Sequence, residues 1–418
     1  MARRSKGFSA CSGASPDHCR GFDAGPTRRA TAISVGAARF ITFGAYSLWI
    51  KPGFAVFLHK PLEACCPLEI RPNGSALAMN LPAPLLIFYV RNDALGDGLL
   101  RIPALRAART AFPQSRIVYG SMHRSSLTGV LRRHAAPLVD DFRTIVPLST
   151  ILAEFARPGR PMTVVDFRTG VPALIVAKLQ LLARGVRYEP NFAGHLLSSH
   201  WRARWTLRPE HNAWRYHRLI ERLAGRHLPF DHRLEVSQAA RVLAGQIRGA
   251  DRRPLILLGG NSKGSNKMMS DAQVAAMATN LIEAGYQVLY LVTPGNGPTP
   301  QSLAARESRL VTIGPDLGLD VEAFGDLLLA LGEIADAYVG MEGGLGHLFA
   351  TVMTPTVIIN HGANIERWRP LSNRVEVVTA PRRGRSANIS DTPVEAILEA
   401  THRLLATSRR DHPEPAAH

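Results

Sequence analysis

The sequence predicts an α/β protein made of two doubly wound domains, each a parallel sheet covered by helices on both faces. Apolar runs typical of buried strands alternate with helical segments over residues 84–380. The alternation stops over residues 192–252, which are rich in Trp, His and Arg, and then restarts. A chain of 418 residues is also long enough for two or three domains.

The first half of the pattern begins with the strand LLIFYVR (85–91), whose unbroken apolar run is expected when helices cover both faces of a sheet. A helical stretch follows the loop NDALGD. Ser125 or Ser126 is placed to cap the next helix, predicted over 125–136. The remaining strands and helix of this half are RIVYGSM (116–122), FRTIVPL (142–148), MTVVDFR (162–168) and VPALIVAKLQLLARG (171–185).

The second half restarts with the strand PLILLGG (254–260). The helix predicted over 270–285 has Ser270 or Asp271 as its N-cap and Gly285 as its terminator. Further helices are predicted over 321–336 and 393–407. The strands between them are YQVLYLV (286–292), RLVTIG (309–314), AYVGM (337–341), PTVIIN (355–360) and RVEVVTA (374–380).

These patterns place a first domain with a helical connection at residues 84–250 and a second domain at 251–408. In doubly wound folds, ligands bind at the carboxyl ends of the strands, so the cleft between the domains is the expected site. Residues 1–83 are predicted to be a separate N-terminal extension and residues 409–418 a disordered tail.

The N-terminal extension is rich in Ser, Gly, Ala and Arg and contains all four cysteines of the chain. Its apolar run FITFGAYSLWI (40–50) is shorter than the ~20 residues that span a bilayer. Three interpretations remain open: a poorly ordered extension, an interfacial membrane segment, or a targeting role. No Cys/His spacing of a zinc site occurs, so no metal site is predicted.

The chain is strongly basic, with 50 Lys and Arg against 33 Asp and Glu and a formal charge of +17. Residues 1–83 carry +6 of this charge and the remainder +11. Such an excess predicts an anionic partner: nucleic acid, a phosphorylated ligand or a membrane surface. Nucleic-acid binding is disfavoured because no stacking aromatic residues interleave with the basic ones.

The loop R-N-D-A-L-G-D-G (91–98) follows the first strand and carries Asp93 and Asp97. A carboxylate here would face the cleft and could accept a proton from a hydroxyl group. The alternative is that Asp97 caps the following helix, where the helix dipole would lower its pKa.

The loop G-G-N-S-K-G-S-N-K (259–267) follows the strand at 254–260 and offers Asn261, Ser262 and Lys267. Backbone N–H groups, hydroxyls and Lys in such a loop can hold phosphates. The spacing does not match a P-loop. The alternative is a solvated polar loop.

The loop Y-V-G-M-E-G-G-L-G-H-L (338–348) places Glu342, Gly343, Gly344 and His347 between a strand and a helix. Its glycines permit close backbone approach to an anion at a helix N-terminus, and Glu342 could accept hydrogen bonds from sugar hydroxyls. The alternative for His347 is a buried, satisfied histidine. Because the first strand–helix turn reads ALGDG and not GxGxxG, a dehydrogenase is disfavoured.

Together these loops resemble glycosyltransferase family 9, the bacterial lipopolysaccharide heptosyltransferases. LIFYVRNDALGDGLLRIPALRAARTAFP resembles the first motif of that family, and EGGLGHLFATVMTPTVIIN resembles its late D-[ST]-G-x-x-H-L motif. The resemblance covers residues 84–405. It implies a GT-B fold, with two Rossmann-like domains and an interdomain cleft for a nucleotide-sugar. It also implies an inverting, metal-independent transfer, without a cofactor, from ADP-heptose to an anionic glycolipid acceptor of the lipopolysaccharide core.

The resemblance also implies residue roles. Asp97 matches the family's general base, Lys267 the residue that neutralises the diphosphate, and Gly344 and His347 the diphosphate and sugar loop. Asn261, Ser262, Glu342 and Gly343 are the other predicted donor-binding residues. Glu342 stands where the family has Asp, and Gly343 where it has Ser or Thr; either change could alter the donor sugar.

A glycosyltransferase acting on an anionic glycolipid is therefore the predicted function. It implies a cytoplasmic protein, with peripheral association at the inner face of the inner membrane as a further expectation. Two alternatives stay open on the same fold: an epimerase-like nucleotide-sugar enzyme, and a family member that binds ligand without catalysis. An epimerase would need a second acid/base partner, for which the loops offer no clear candidate.

Overall fold

The structure is a computed structural model. The chain divides into two compact units, residues 1–76 and 77–418. The structure describes residues 42–43, 46–47, 84–155, 160–168, 171–191, 211–260, 264–292, 298–362, 365–383 and 386–411.

The first unit is described at one short antiparallel hairpin, formed by β1 (Thr42–Phe43) and β2 (Tyr46–Ser47). This hairpin lies within the apolar run at 40–50. The predictions for the rest of residues 1–83, and for the tail from residue 412 onward, fall outside the described residues.

The first sheet of the second unit has five parallel strands in the order β5-β4-β3-β6-β7, with β3 at the centre. All six side chains of β3 are buried, as its unbroken apolar run predicts. Its strands are β3 (Leu85–Val90), β4 (Arg116–Ser121), β5 (Asp141–Thr144), β6 (Met162–Asp166) and β7 (Arg187–Pro190). Its helices are α1 (Leu95–Ala111), α2 (Arg132–Ala135), α3 (Leu148–Phe155) and α4 (Val171–Leu182).

Two helices form the predicted connection between the sheets. In this region α5 (Asn212–Ala224) packs on α1, and α6 (Gln238–Arg248) packs on a helix of the second half, α9 (Val321–Ile334). Gly225 ends α5 with a φ of 68°, in the left-handed region that glycine adopts without strain.

The second sheet has six parallel strands in the order β10-β9-β8-β11-β12-β13. Its strands are β8 (Leu255–Gly259), β9 (Gln287–Leu291), β10 (Val311–Ile313), β11 (Ala337–Met341), β12 (Thr356–Asn360) and β13 (Val375–Thr379). Its helices besides α9 are α7 (Asp271–Glu283), α8 (Pro300–Ala304), α10 (Gly344–Ala350), α11 (Ile365–Trp368) and α12 (Val394–Asp411). A small hairpin, β14 (Arg382–Arg383) and β15 (Ser386–Ala387), follows β13.

The two sheets share an apolar core. One continuous cluster of buried side chains includes Leu105 of α1, Leu219 of α5, Leu257 of β8 and Leu328 of α9. The halves of residues 77–418 are therefore packed together by hydrophobic contact, which fixes the carboxyl ends of both sheets near one another. The predicted fold class, two doubly wound parallel sheets, is confirmed.

Several local details differ from the predictions. The strand expected over 142–148 ends at Thr144, and helix α3, which was not predicted, begins at Leu148. The helix expected over 125–136 is a 3₁₀ turn, Ser126–Thr128, followed by the short α2, although Ser125 does cap the turn by accepting a hydrogen bond from the Leu127 N–H. Strand β7 was not predicted, because its sequence RYEP is polar and ends in Pro, which only an edge strand accommodates. Helix α12 continues past the predicted end at residue 407, to Asp411.

Candidate functional site

A cavity of about 320 Å³ lies where the carboxyl ends of the two central strands, β3 and β8, and of β11 come together. Strand order reverses at these strands, which is where doubly wound sheets bind ligands. Six of the eight predicted site residues line this cavity; Asn261 and Ser262 lie outside the described residues. The lining residues are Ala94, Gly96, Asp97, Lys267, Glu342, Gly343, Gly344, His347, Ile365 and Trp368.

Two helix N-termini meet at the cavity because two glycines allow their backbones to touch. A Cβ added at Gly96 of α1 would lie 2.9 Å from His347 Cδ2 of α10. A Cβ added at Gly344 of α10 would lie 2.7 Å from Leu95 Cβ of α1. The contact therefore depends on the absence of both side chains, and it directs the free N–H groups of both helices toward the same space.

Asp97 lies in the first turn of α1 but is not the residue that caps it. The N-cap is Ala94, which has no side-chain cap. The Asp97 side chain is 25% exposed, and its carboxylate lies 4.0 Å from the Arg101 guanidinium. Burial nevertheless raises the pKa of Asp97, because desolvation outweighs the attraction of Arg101 and the hydrogen bond from the Ala94 backbone, while the charge of Asp93 raises it further. The pKa shift is therefore opposite to the lowering that the alternative capping role implied.

The raised pKa predicts a measurable stability change. An acid whose pKa is higher in the folded state destabilises that state once it ionises, so Asp97→Asn should raise the free energy of unfolding at pH 7. The stability difference between Asp97→Asn and the wild type should largely disappear below the ordinary pKa of 3.8, where Asp97 is mostly protonated in both the folded and the unfolded state. Urea unfolding of both proteins at pH 7 and pH 3.5 measures this. If Asp97→Asn were less stable than the wild type at pH 7, the raised pKa of Asp97 would be contradicted.

Asp93, the other acid of this loop, is buried below the cavity and does not line it. It pairs with the buried Arg101 and accepts hydrogen bonds from Tyr119 (3.0 Å) and Ser125. The Arg101 guanidinium also lies 5.5 Å from the ring centre of Tyr216 on α5. Asp93 thus holds the loop and Arg101 in place, and Asp97 is the carboxylate of this loop that faces the cavity.

Lys267 follows β8 at the end of a 3₁₀ turn and reaches across to the loop after β11. Its Nζ donates a hydrogen bond of 2.6 Å to Glu342 Oε1. His361, directly after β12, places its Nδ1 2.5 Å from the same oxygen, in close contact but without the alignment of a good hydrogen bond. Glu342 Oε1 is therefore hydrogen-bonded by Lys267 and in contact with His361, while its second oxygen has no hydrogen-bond partner among the described residues. The Lys267 side chain is 36% exposed, and within the described part of the chain Glu342 is its one hydrogen-bond partner, which leaves two of its three donors available.

His347 is 6% exposed, and burial lowers its pKa to about 3. The ring is therefore neutral at pH 7 and serves as a hydrogen-bonding group without charge. The prediction of a buried histidine is correct, but among the described residues its Nδ1 has no hydrogen-bond partner. Among the cavity's described lining residues, Lys267 is the one cation, facing the carboxylates of Asp97 and Glu342.

Gly343 and Gly344 are neighbours with opposite surroundings, which makes them a matched pair. A Cβ at Gly343 would meet nothing within 4 Å, and its φ of 162° is extended backbone. Because α10 lacks a side-chain cap, Gly343→Ser should leave stability unchanged or raise it by a few tenths of a kcal/mol, ~0.3.

Gly344→Ser should instead force α1 and α10 apart, since its Cβ would overlap Leu95. We expect a loss of about 1–3 kcal/mol in the free energy of unfolding. Urea unfolding of both variants measures the difference. Equal stability of the two would show that the close approach of the helices is unimportant.

Sequence reasoning missed three residues at the site: His361, Ile365 and Trp368. His361 follows the apolar strand PTVIIN, so the rule that ligands bind after strand ends could have found it. Ile365 and Trp368 belong to α11, a helix of only four residues that shows no periodicity. Within the described part of the chain, no group of three or more His, Cys, Asp and Glu could hold a metal ion.

Comparison with known proteins identifies the family. The sequence model of glycosyltransferase family 9 (heptosyltransferase) matches residues 174–396, more than half of the chain. The chain belongs to glycosyltransferase family 9. No curated protein matches it significantly.

Solved structures place this family 9 glycosyltransferase in the GT-B fold. A family 9 glycosyltransferase of Veillonella parvula superposes with a TM-score of 0.59 at 16% identity, covering 78% of this chain and 98% of that one. ADP-heptose lps heptosyltransferase II of E. coli gives 0.53 at 17% identity, over 77% and 99% of the two chains. E. coli heptosyltransferase WaaC with ADP-2-deoxy-2-fluoro heptose superposes with a TM-score of 0.50 at 14% identity, covering 76% of this chain and 99% of that one. None of the described helices of this family 9 glycosyltransferase is long and apolar enough to cross a membrane.

Proposed function

We propose that this family 9 glycosyltransferase moves a heptose, or a related sugar, from an ADP-activated donor to a hydroxyl of an anionic lipopolysaccharide core acceptor. The observation that carries the proposal is the meeting of Asp97, Lys267, Glu342 and His347 in one cavity at the switch points of both sheets. A base, a cation and sugar-binding acceptors are the groups that such a transfer requires.

In the proposed reaction, Asp97 accepts the proton of the acceptor hydroxyl as its oxygen attacks the anomeric carbon of the donor. The bond between that carbon and the phosphate oxygen breaks, and its electron pair leaves with ADP. Attack from the face opposite the leaving group inverts the anomeric configuration. The pKa of Asp97, raised by burial, makes it a stronger base than an exposed carboxylate.

Lys267 is proposed to neutralise the charge that develops on the diphosphate as ADP leaves, in place of a divalent cation. Its Nζ is held by Glu342 at the cavity wall, yet retains two donors. The neutral His347 and the backbone N–H groups at the start of α10 would orient the diphosphate and the sugar. Asn261 and Ser262 are proposed to complete the phosphate contacts.

Glu342 and Gly343 leave room for a donor sugar related to heptose. The carboxylate of Glu342 extends one methylene further than an Asp would, and Gly343 leaves open space beside it. The free oxygen of Glu342 would accept hydrogen bonds from sugar hydroxyls. A heptose with a modified hydroxyl pattern fits these two changes as well as the heptose named for the E. coli enzymes.

The net positive charge of the chain supports an anionic acceptor and a location at the membrane surface. Residues 84–418 carry a net +11, which favours approach to an anionic glycolipid and to the inner face of the inner membrane. Peripheral association there would bring the cavity to a lipid-linked acceptor without a membrane-spanning segment.

A thermal-shift screen with ADP-, UDP-, GDP- and CMP-sugars tests the donor. We expect ADP-heptose at 100 times its Kd to stabilise the protein by about 2.7 kcal/mol, and the other nucleotides to have little effect at the same concentration. Free ADP and free heptose are the controls that separate nucleotide from sugar binding. Stabilisation by a UDP-sugar alone, or by none of the donors, would refute the proposed donor.

A further inference from the structure

A second cavity, of about 670 Å³, lies between α5 and residues 366–373. The short helix α11 separates it from the donor cavity. Ile365 and Trp368 of α11 line the donor cavity, whereas Glu366 and Arg367 line the second one. A ligand in the second cavity would therefore lie one helix away from the transferred sugar.

One wall of this second cavity is aromatic. The Trp214 indole stacks on the Phe230 ring, with centroids 3.7 Å apart and planes 18° from parallel, and His217 packs edge-on against both. Stacking fixes the indole, yet the Trp214 side chain remains 39% exposed. A rigid indole with a free face suits the C–H face of a sugar ring, since the electron-rich ring attracts the weakly positive C–H groups.

Arg369 is a second lining residue of this cavity that can contact a ligand. Among the described residues, the half-buried Arg369 side chain has no ion-pair partner. Its carbonyl accepts a hydrogen bond of 2.8 Å from His211 Nε2, while His211 Nδ1 accepts one from the Ala213 N–H. These bonds fix the backbone and leave the guanidinium as a fork-shaped donor suited to a phosphate or carboxylate.

The charge of the whole lining favours an anion. The described lining residues include two arginines, Arg367 and Arg369, and one carboxylate, Glu366. Burial lowers the pKa of both His211 and His232, so neither adds charge at pH 7. The His232 Nε2 atom is buried and has no hydrogen-bond partner among the described residues.

Met353, which also lines this cavity, has an unusual backbone conformation. Its φ of 63° is one that non-glycine residues rarely adopt outside functional or tightly constrained positions.

We propose that the second cavity binds an anionic sugar unit, a pyranose ring that bears a phosphate or carboxylate, between Trp214 and Arg369. The ring would stack on the indole and its anionic group would pair with the guanidinium. Its role rests on the proposed function: the ligand would be a sugar of the acceptor adjoining the one that receives the transferred sugar. The binding itself does not require turnover, so it can be measured separately.

Saturation-transfer NMR on the full chain, with ADP bound in excess, tests the proposal using a hexose 6-phosphate, glucuronate, the free hexose and inorganic phosphate. We expect the hexose 6-phosphate or glucuronate to bind, and the free hexose and phosphate to bind at least about tenfold more weakly. The first two probes distinguish a phosphate from a carboxylate ligand.

Arg369→Gln should weaken binding of the tightest probe about tenfold without disturbing the hydrogen bond from His211, which uses the backbone carbonyl of residue 369. Trp214→Leu should weaken it similarly.

Two further variants make the result specific. Arg226→Gln removes an exposed arginine at the end of α5, outside both cavities, and should leave binding unchanged. Lys267→Ala alters the donor cavity and should also leave probe binding unchanged. Failure of all probes to bind, equal binding of inorganic phosphate, or a loss confined to Lys267→Ala would each overturn the second site. The ADP-heptose thermal shift would be unaffected by that failure, so the two proposals can fail separately.

Discussion

Asp97→Asn is expected to lower kcat for sugar transfer by about 10²–10⁴-fold while ADP still binds with nearly unchanged affinity. The substitution keeps the size of the side chain but removes the group that would accept the acceptor proton. Asp97 lines the cavity and its pKa is raised by burial, so both its position and its basicity support this role. Steady-state kinetics and ADP titration calorimetry of the variant measure the two quantities.

The matched control for this prediction is Glu322→Gln. Glu322 is also an acid in the first turn of a helix, α9, but it does not line the donor cavity. Its loss should leave transfer unchanged. An Asp97→Asn enzyme with near wild-type kcat would remove the base assignment, and an equal loss in ADP affinity would indicate a structural role in its place.

Lys267→Met is expected to weaken both donor binding and the rate. Loss of charge-assisted hydrogen bonds to the diphosphate should raise the Kd for ADP about 10–100-fold. The same loss should lower kcat by about 10²-fold, because the developing charge on ADP would no longer be neutralised. Glu342 would also lose the 2.6 Å contact that holds its oxygen, so sugar selection should deteriorate together with phosphate binding.

Arg252→Met is the control for the lysine. Arg252 is an exposed cation just before β8, at the opposite end of the strand that leads to Lys267. Its removal changes the net charge equally but leaves the cavity intact, so Kd and kcat should not change. If Lys267→Met alters kcat but not ADP affinity, the lysine acts in the transition state alone. If it alters neither, the proposed leaving-group role is wrong.

Strands and helices could be predicted where apolar residues recur with a clear period, because such a pattern reflects the burial of one or both faces of the element. The strand LLIFYV is apolar throughout because helices cover both of its faces, and all six of its residues are buried. Helix α7 carries its own start signal, a Ser270–Gln273 capping box. Strand β7 was missed because its sequence RYEP is polar and ends in Pro, and helix α11 was missed because four residues are too few to show a helical period.

The site was predicted in part, because loops at the carboxyl ends of parallel strands are identifiable from sequence. That rule found Asp97, Lys267 and the glycine-rich loop at Glu342, which all line one cavity. It could not separate Asp93 from Asp97, since both follow the same strand. Nor could it give the direction of the Asp97 pKa, which depends on how much of the carboxyl group other parts of the chain cover.

The sequence by itself determined the fold class, the order of most strands and helices, and the loops that carry chemistry, because hydrophobic period and turn residues are local properties. Tertiary structure alone decided which of these loops meet. The contact between α1 and α10 joins residues about 250 positions apart, and it forms because Gly96 and Gly344 each lack a side chain at the point of approach. That contact, with the Lys267–Glu342–His361 cluster beside it, turns separate strand ends into one cavity whose burial sets the acidity of Asp97.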